Sequence, residues 1–462
     1  MNIKIIASIA IVLSIGLQKT SACICTSTES NKKSEVCKTS ETEKTYGNIA
    51  SLLEKSAIDD IVTLELNDVI ITNFNNNDIY IRDNTGAIAL RNSHDNILKA
   101  LKNSGKNYIL NGKVRGKVVK FLSTTPVLSI QSNSDVSDVV ATENPNEVLP
   151  IEVSLDDIGK HISDLVTVKN VTVTNKNTNK DQSNKLILNN IYYVYNSNFS
   201  SFDPTKDNPY NGAKIDITGI VYSSKTIAPR TRNDITYIVD EEAENVIETT
   251  NYNISYKNNL KIRLKRSFSN KYWNTICLPC SLTVTQVKKI FGENTVLAQY
   301  DKAENGVISF VKTEVLFAGK GYLILPEHTV ENPVISGVGF NSKKPTPISG
   351  NNCFSGTYNP VELKTDKTEF FFSKSGTLSY PAAGKNKLKG LRAYFKYATT
   401  VDNAKDIMIN IDGITSGIEV VDGENVSERV RVYNLNGQYL GNSTENLEKG
   451  IYIVNKKKVI IK

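Results

Sequence analysis

Histidine is almost absent: His94, His161 and His328 are the only three in 462 residues. That leaves little for a Ser-His-Asp or Cys-His nucleophilic site, and none of the three falls near the cysteines at zinc-ligand spacing. The sequence also lacks a Gly-x-Ser-x-Gly elbow, a phosphate-cradling glycine loop and a His-Glu-x-x-His helix. Adjacent acids do occur, as Asp59-Asp60 and Asp156-Asp157, but where a helix or strand start would hold them solvated rather than facing one another across a substrate. No metal, cofactor or catalytic residue is called for, and the expectation is a protein that is not an enzyme.

Charge of one sign is missing from the body of the chain. Lys4 and Lys19 lie near the start, and residues 447–462 carry five lysines against Glu448, which leaves only +1 of the formal +7 for residues 23–446. Release of counterions from phosphates drives nucleic-acid binding and needs a basic face on the folded body, so nucleic acid is an unfavoured partner. Long apolar runs are scarce as well. Residues 5–17 form one, shorter than the roughly 20 residues of a membrane-spanning helix. It follows Lys4 and precedes Thr20-Ser21-Ala22, the layout of a signal peptide (residues 1–22) with a small-residue cleavage step. Cys23, directly after Ala22, leaves lipidation open beside ordinary cleavage, although Thr20 stands where a lipidation motif prefers Leu. Both routes take the chain out of the cytoplasm.

Cysteines are few and fall in two groups, Cys23, Cys25 and Cys37, then Cys277, Cys280 and Cys353. Cys277-Leu278-Pro279-Cys280 has redox spacing, but it follows a β-like segment and lacks the strand-then-helix setting of a thioredoxin-type site. Structural disulfides or buried thiols are expected of an exported protein instead.

What the sequence does hold is short β-branched runs broken by Asn, Asp and Gly. Residues 23–47 are polar and read as a flexible linker. Beyond them Val62-Thr63-Leu64-Glu65-Leu66, Asp78-Ile79-Tyr80-Ile81-Arg82 and Ile88-Ala89-Leu90 alternate as strands, with Asp83-Asn84-Thr85-Gly86 as a hairpin corner and Gly86 available for a positive φ. Residues 96–103 have helical spacing, and strands resume from Tyr108. Three strands, a helix and two strands give the order of a small five-stranded barrel.

On these residues, and on Tyr108-Ile109-Leu110-Asn111-Gly112-Lys113-Val114, residues 48–140 resemble the oligonucleotide/oligosaccharide-binding (OB) fold. Residues 150–240 resemble a second copy, opened by Leu165-Val166-Thr167-Val168, with Gly219-Ile220-Val221 repeating the glycine-valine element. Residues 143–150 read as a linker, and the acidic stretch 240–248 as a break. Trp273-Asn274-Thr275-Ile276, Gly321-Tyr322-Leu323-Ile324 and Gly390-Leu391-Arg392-Ala393-Tyr394-Phe395 make residues 250–413 similar to a β-rich domain of exported bacterial proteins, with one helix over 283–291. Val430-Arg431-Val432-Tyr433-Asn434-Leu435-Asn436-Gly437 and Leu447-Glu448-Lys449-Gly450-Ile451-Tyr452-Ile453-Val454 make residues 416–462 resemble the C-terminal sorting domain of type IX secretion cargo, without the Asn-Pro element that often opens it. That resemblance implies a small β-sandwich, in which Gly437, Gly450, Tyr452 and Lys458 belong to a sorting signal, a secretion machine as partner, and a Gram-negative cell surface or the medium as destination.

The fold expected is all-β: tandem OB-like five-stranded barrels, a further β-rich domain and a small C-terminal β-sandwich. Candidate ligand-binding residues are Tyr80 and Arg82 on a displayed strand, Arg115 beside Lys113 and Lys117 on another, and Tyr192, Tyr193 and Tyr195, whose rings could stack on a flat ligand. The leading functional expectation is a non-catalytic surface binding protein for a glycan or protein. The other is a structural or adhesive envelope component whose barrels are spacers, possible attachment to the outer-membrane surface being common to both.

Overall fold

The alternating runs become strands, and the chain is all-β. The described part of the computed structural model comprises residues 43–75, 78–92, 101–102, 104–121, 125–174, 186–194, 212–245, 259–304, 306–340, 345, 353–373, 378–397, 407–412, 414–416, 432–434, 438–441, 447–454 and 457–461. Residues 43–462 belong to one compact unit.

The first barrel comprises β1 (Lys44–Tyr46), α1 (Ile49–Lys55), β2 (Ile61–Phe74), β3 (Asp78–Arg82), β4 (Ala87–Asn92), β5 (Asn107–Phe121), β6 (Thr125–Ile130) and β7 (Val140–Asn144). Because β2 pairs with both β3 and β5, the ring closes in the order β2-β3-β4-β6-β5, with β4 and β6 parallel. Strand alternation turns Val62, Leu64, Ile79, Ile81, Ile88, Leu90, Val114 and Val118 into one core, which α1 covers with Ile49 and Leu52. The hairpin corner works differently from the sequence expectation. Gly86 is not among the positive-φ glycines; the Asp83 carboxylate holds the turn instead, accepting the Thr85 and Gly86 N–H groups and, from α1, that of Ile49. Of the helix expected over 96–103, Leu101 and Lys102 are helical and the remainder lies outside the described residues.

The second barrel repeats this plan. It comprises β8 (Ile151–Glu152), a 3-10 turn (Leu155–Lys160), β9 (Leu165–Thr172), β10 (Leu186–Leu188), β11 (Tyr192–Val194), β12 (Lys214–Ser223), β13 (Thr226–Ala228) and β14 (Ile235–Asp240). Its ring runs β9-β10-β11-β13-β12, closed by the Val173–Leu188 bridge, with β11 and β13 parallel. Details recur. Asp59 and Ser163, both at positive φ, donate to the carbonyls of Val118 and Val221, whose own N–H groups return to Asp60 and Asp164. Asp68 and Asn170, also at positive φ, sit at a bulge in the first strand of each ring. Each ring is followed by a 3-10 turn with a capping box, Ser132 with Asp135 and Thr231 with Asp234.

These equivalences correct the glycine register. Gly219 corresponds to Gly116, so the matching elements are Gly116-Lys117-Val118 and Gly219-Ile220-Val221 rather than Gly112-Lys113-Val114. A Cβ on Gly116 would lie 2.8 Å from the Ser129 carbonyl oxygen, and one on Gly219 would lie 2.4 Å from that of Ala228. In both rings the fifth strand presses on the fourth where only hydrogen fits.

The acidic stretch after 240 is not a break in the sheet. β14 pairs in parallel with β15 (Leu260–Lys265), beyond which lie β16 (Ser267–Phe268), β17 (Asn274–Ile276), α2 (Val284–Phe291), β18 (Val296–Glu304), β19 (Val307–Thr313), β20 (Tyr322–Leu325), β21 (Val330–Glu331) and β22 (Val334–Val338), the last on the far edge of β15. One core runs from Leu155 to Leu391, so the second barrel and the third region share an interior. α2 matches the helix expected from sequence: Thr283 caps it with Gln286, and Gly292, at φ 105°, ends it. A second core lies under Phe310, Phe354, Phe370 and Phe395. The strands that follow β22 are β23 (Phe354–Thr357), β24 (Val361–Glu362), β25 (Glu369–Phe372), β26 (Leu378–Ser379), β27 (Lys387–Leu388), β28 (Arg392–Lys396), β29 (Met408–Ile411) and β30 (Ile414–Ser416), of which β23, β25, β26, β28 and β29 contribute to this core. At the C-terminus β31 (Val432–Tyr433), β32 (Tyr439–Gly441), β33 (Gly450–Val454) and β34 (Lys457–Ile461) form an antiparallel sheet in the order β32-β31-β33-β34.

Candidate functional site

Tyr80 and Arg82 point outward from β3 as the alternation requires, but toward the second barrel rather than toward solvent. Tyr80 is 2% exposed, and its ring stacks on Tyr222 of β12 with centroids 6.0 Å apart and planes at 14°. Ala89 and Val127 join it against Leu165, Ile220 and Ala228 in a buried apolar cluster. Burying each ring is worth roughly 2–3 kcal/mol, so this is not an incidental touch. Asn75 donates to the Tyr222 hydroxyl at 3.2 Å, and Thr125 donates to the Tyr222 carbonyl at 2.7 Å. Beside the rings, Arg82 donates to the Asp164 carboxylate at 3.2 Å and to the Leu149 carbonyl at 2.9 Å. Burial raises the Asp164 carboxyl above the usual range, with Arg82 opposing. As a ligand platform this pair is therefore corrected: both side chains are spent on the neighbouring barrel.

The basic stripe on β5 is likewise occupied. Lys113 pairs with Glu65 at 3.1 Å, Lys117 with Asp59 at 2.8 Å, and Arg115 with both Glu43 at 2.8 Å and Asp135 at 3.1 Å. Asp135 also accepts the N–H groups of Gln131 and Ser132, so Arg115 braces the 3-10 turn after β6. Among the described residues this stripe offers a polyanion paired charges.

The tyrosine cluster separates. Tyr192 is half-buried against the core of the second barrel, and its hydroxyl donates to Asp156 at 2.7 Å, which raises the phenol above its ordinary range. Tyr193, on the opposite face of β11, is exposed, with Ile187 and Thr226 as its neighbours across the sheet. Tyr195 lies outside the described residues, as do Cys23 and Gly437. Gly450 and Tyr452 lie on β33, where the Tyr452 hydroxyl donates to the Glu448 carbonyl at 2.8 Å, and Lys458 lies on β34 opposite Ile453.

Cys277, Cys280 and Cys353 are buried and none is in a disulfide. Burial pushes the Cys280 thiol up to about 12 and the Cys353 thiol up to about 11, away from the low values a nucleophilic thiolate needs.

Sequence reasoning missed the charged node where the second barrel meets the third region. Arg266 is fully buried, donates to the carbonyls of Leu391 and Thr275, covers the Phe268 ring at 4.3 Å and faces Glu241 at 3.6 Å. Burial lowers its pKa well below the ordinary value. Glu241 also meets Arg392 at 2.6 Å and Lys389 at 3.2 Å, while Asp240 takes Lys265 at 2.9 Å. Asp240 and Glu241, read as part of a break, are a clamp on Lys265, Arg266, Lys389 and Arg392, and no local sequence signal pointed to partners so far along the chain.

Among the described residues no group of His, Cys, Asp and Glu is placed to hold a metal ion, and no helix is long and apolar enough to cross a membrane. Comparison with family models finds no match, and comparison with curated proteins finds none either.

Proposed function

We propose that this chain is a non-catalytic structural component of an envelope surface, with its barrels as packed building blocks rather than independent receptors. One observation carries the reading: Tyr80 and Arg82, on the face of the first barrel best suited to a ligand, are used by Tyr222 and Asp164 of the second. The signal-peptide layout and the tail's resemblance to a sorting domain support export through the periplasm, with the secretion machinery as the tail's partner. Glycan, peptide and single-stranded oligonucleotide arrays probed with residues 43–462 should give no saturable signal. Deleting residues 416–462 should hold the protein in the periplasm, and arrival of that truncation at the surface would remove the sorting assignment.

A second reading is a surface protein that binds a glycan or another protein through the second barrel. The partial exposure of Tyr193 on β11, 36%, supports it, since the exposed part of an aromatic ring can stack on a sugar or pack on an apolar side chain. An array signal lost in Tyr193→Ala would select this reading over the first.

A further inference from the structure

The ribbon of β24 and β27 carries lysines that no carboxylate answers. Val361 faces Leu388 and Glu362 faces Lys387 across the two strands, and the Leu363 N–H continues the register by donating to the Asn386 carbonyl at 2.9 Å. Leu363 and Leu388 are buried, so the positions between them turn outward: Glu362 and Lys364 on one strand, Lys385 and Lys387 on the other, all exposed. Lys367, in the loop after Lys364, is exposed as well.

Among the described residues Lys364, Lys367, Lys385 and Lys387 enter no ion pair, whereas the basic residues that follow them do. Lys389 meets Glu241 and Glu242, Arg392 meets Glu241, and Lys396 lies 3.8 Å from the buried Glu369. Asp366 is taken by the Thr368 hydroxyl and N–H, which hold its carboxyl below the usual range, and Lys364 adds only a weaker attraction. The loop that presents the lysines is fixed. Glu369 accepts the Lys364 N–H at 2.8 Å, and the Asn386 amide donates to the Leu363 carbonyl at 2.9 Å. At the tip Ala382, Ala383 and Gly384 are exposed, and nothing among the described residues lies within 4 Å of where a Cβ on Gly384 would stand. Like charges at the facing ends of a ribbon repel, so Lys364 and Lys385 weaken it until an anion lies against both.

The kind of anion follows from what accompanies the ammonium groups. The other exposed side chains described here are Glu362, Thr365, Asp366, Ala382 and Ala383, with no arginine fork and no aromatic ring. Lysines are point charges that respond to charge density rather than to one phosphate geometry, and bases need rings to stack on. A plane of phosphate headgroups requires only that several ammonium groups share a face, and a cluster of about four is enough for anionic lipid.

We propose that this ribbon is a membrane-contact surface, on which Lys364, Lys367, Lys385 and Lys387 lie against the phosphate headgroups of an anionic lipid surface. The contact is electrostatic and reversible, since Ala382 and Ala383 offer little apolar area to insert. It deepens the envelope-surface reading and rests on it for the place of that lipid in the cell. Vesicle binding is measured on purified protein, so its failure is separate from a failure of export or of the arrays.

Co-sedimentation with phosphatidylcholine vesicles holding about 40% phosphatidylglycerol, in about 0.1 M salt, should capture the exported chain, and pure phosphatidylcholine should not. A lysine at an anionic surface is worth about fivefold in partition, so Lys385→Gln/Lys387→Gln should weaken capture about tenfold or more, and Lys364→Gln/Lys367→Gln likewise. Lys113→Gln/Lys117→Gln, which removes the same charge from paired positions, should change it less than about threefold. Salt at about 0.5 M should release the wild type, because screening then acts within a few ångströms. All four positions are exposed, and unchanged melting would show that the variants fold. No preference for anionic vesicles, an equal loss in the Lys113 and Lys117 pair, or a loss found instead in Lys456→Gln/Lys457→Gln would each overturn the proposal. So would tighter capture of a labelled single-stranded oligonucleotide that Lys385→Gln/Lys387→Gln abolishes, which would make the ribbon a nucleic-acid surface.

Discussion

Arg82→Ala deletes one end of the ion pair between the barrels and leaves the Asp164 carboxylate, with its side chain 4% exposed, facing the Leu165 N–H at 2.7 Å. Removing one partner of a buried pair costs about 3–5 kcal/mol, because the remaining charge is desolvated without compensation. The surviving backbone donor and the 14% exposure of Arg82 itself place this case at the low end, about 3 kcal/mol. The lost Arg82 bond to the Leu149 carbonyl also loosens residues 145–150, where Leu149 is exposed. Limited proteolysis of that connection reads the effect directly. When opening and reclosing are fast relative to cleavage, the rate follows the open population, so about 3 kcal/mol becomes a rate increase on the order of 100-fold.

The double variant Arg82→Leu/Asp164→Asn should recover most of the loss, since it removes both charges and keeps an acceptor for Leu165. The pH dependence has a definite sign. Asp164 titrates above its ordinary range in the closed form, so the closed form binds the proton more tightly than the open form does. The contact therefore strengthens as pH falls through the raised pKa and weakens as pH rises through it; without Arg82, the deficit should be full near pH 7 and shrink toward about pH 4. Cleavage within about threefold of wild type, or a double variant no better than the single, would refute this account of the contact.

Gly219→Ala should cost about 3 kcal/mol or more because its Cβ meets backbone atoms of Ala228 and Pro229, whereas Gly47→Ala, whose nearest neighbour is 3.8 Å away, should melt like wild type. At pH 8 the Cys280 and Cys353 thiols, pushed to about 12 and about 11, hold a thiolate fraction of roughly 10⁻³ or less, so a disulfide reagent should label neither until the chain unfolds; fast native labelling would contradict their burial. Arg266→Met should destabilise the join of the second barrel and third region by about 3 kcal/mol, since the Leu391 and Thr275 carbonyls lose their buried donor; a loss under about 1 kcal/mol in urea titration would show that the node is dispensable.

Strand positions were legible because a two-residue period and β-branched composition are local signals. The order of three strands, a helix and two strands, with the doubled glycine-valine element, was enough for the tandem barrels. Two things were not local. Whether an outward-facing side chain meets water or another barrel depends on packing between repeats, so Tyr80 and Arg82 read as a displayed pair although Tyr222 and Asp164 cover them. The acids after residue 240 read as a break because their partners, Arg266, Lys389 and Arg392, lie up to 151 residues away. Arg115, beside Lys113 and Lys117, read as a candidate for ligand binding for the same reason, as the carboxylates that answer these three come from β2, from Asp59, from Glu43 and from the turn after β6.

The two closing strands show how one plan yields two outcomes. β7 and β14 occupy the same place, each pairing with the fourth strand of its ring. β14 reads Ile235-Thr236-Tyr237-Ile238-Val239-Asp240, every residue of it buried, and it carries β15 on its free edge. β7 reads Val140-Ala141-Thr142-Glu143-Asn144, is largely exposed, and ends the sheet among the described residues. A short edge strand bearing a carboxylate resists pairing with another strand, whereas an apolar one requires cover. Composition at this single position therefore decides whether the sheet stops or continues, and it explains how the first barrel joins its neighbour through side chains while the second joins its own through backbone hydrogen bonds and a shared core. The second junction cannot open without breaking a sheet; the first can separate as two intact barrels, which makes the Tyr80–Tyr222 and Arg82–Asp164 contact the place where relative motion of the barrels is set.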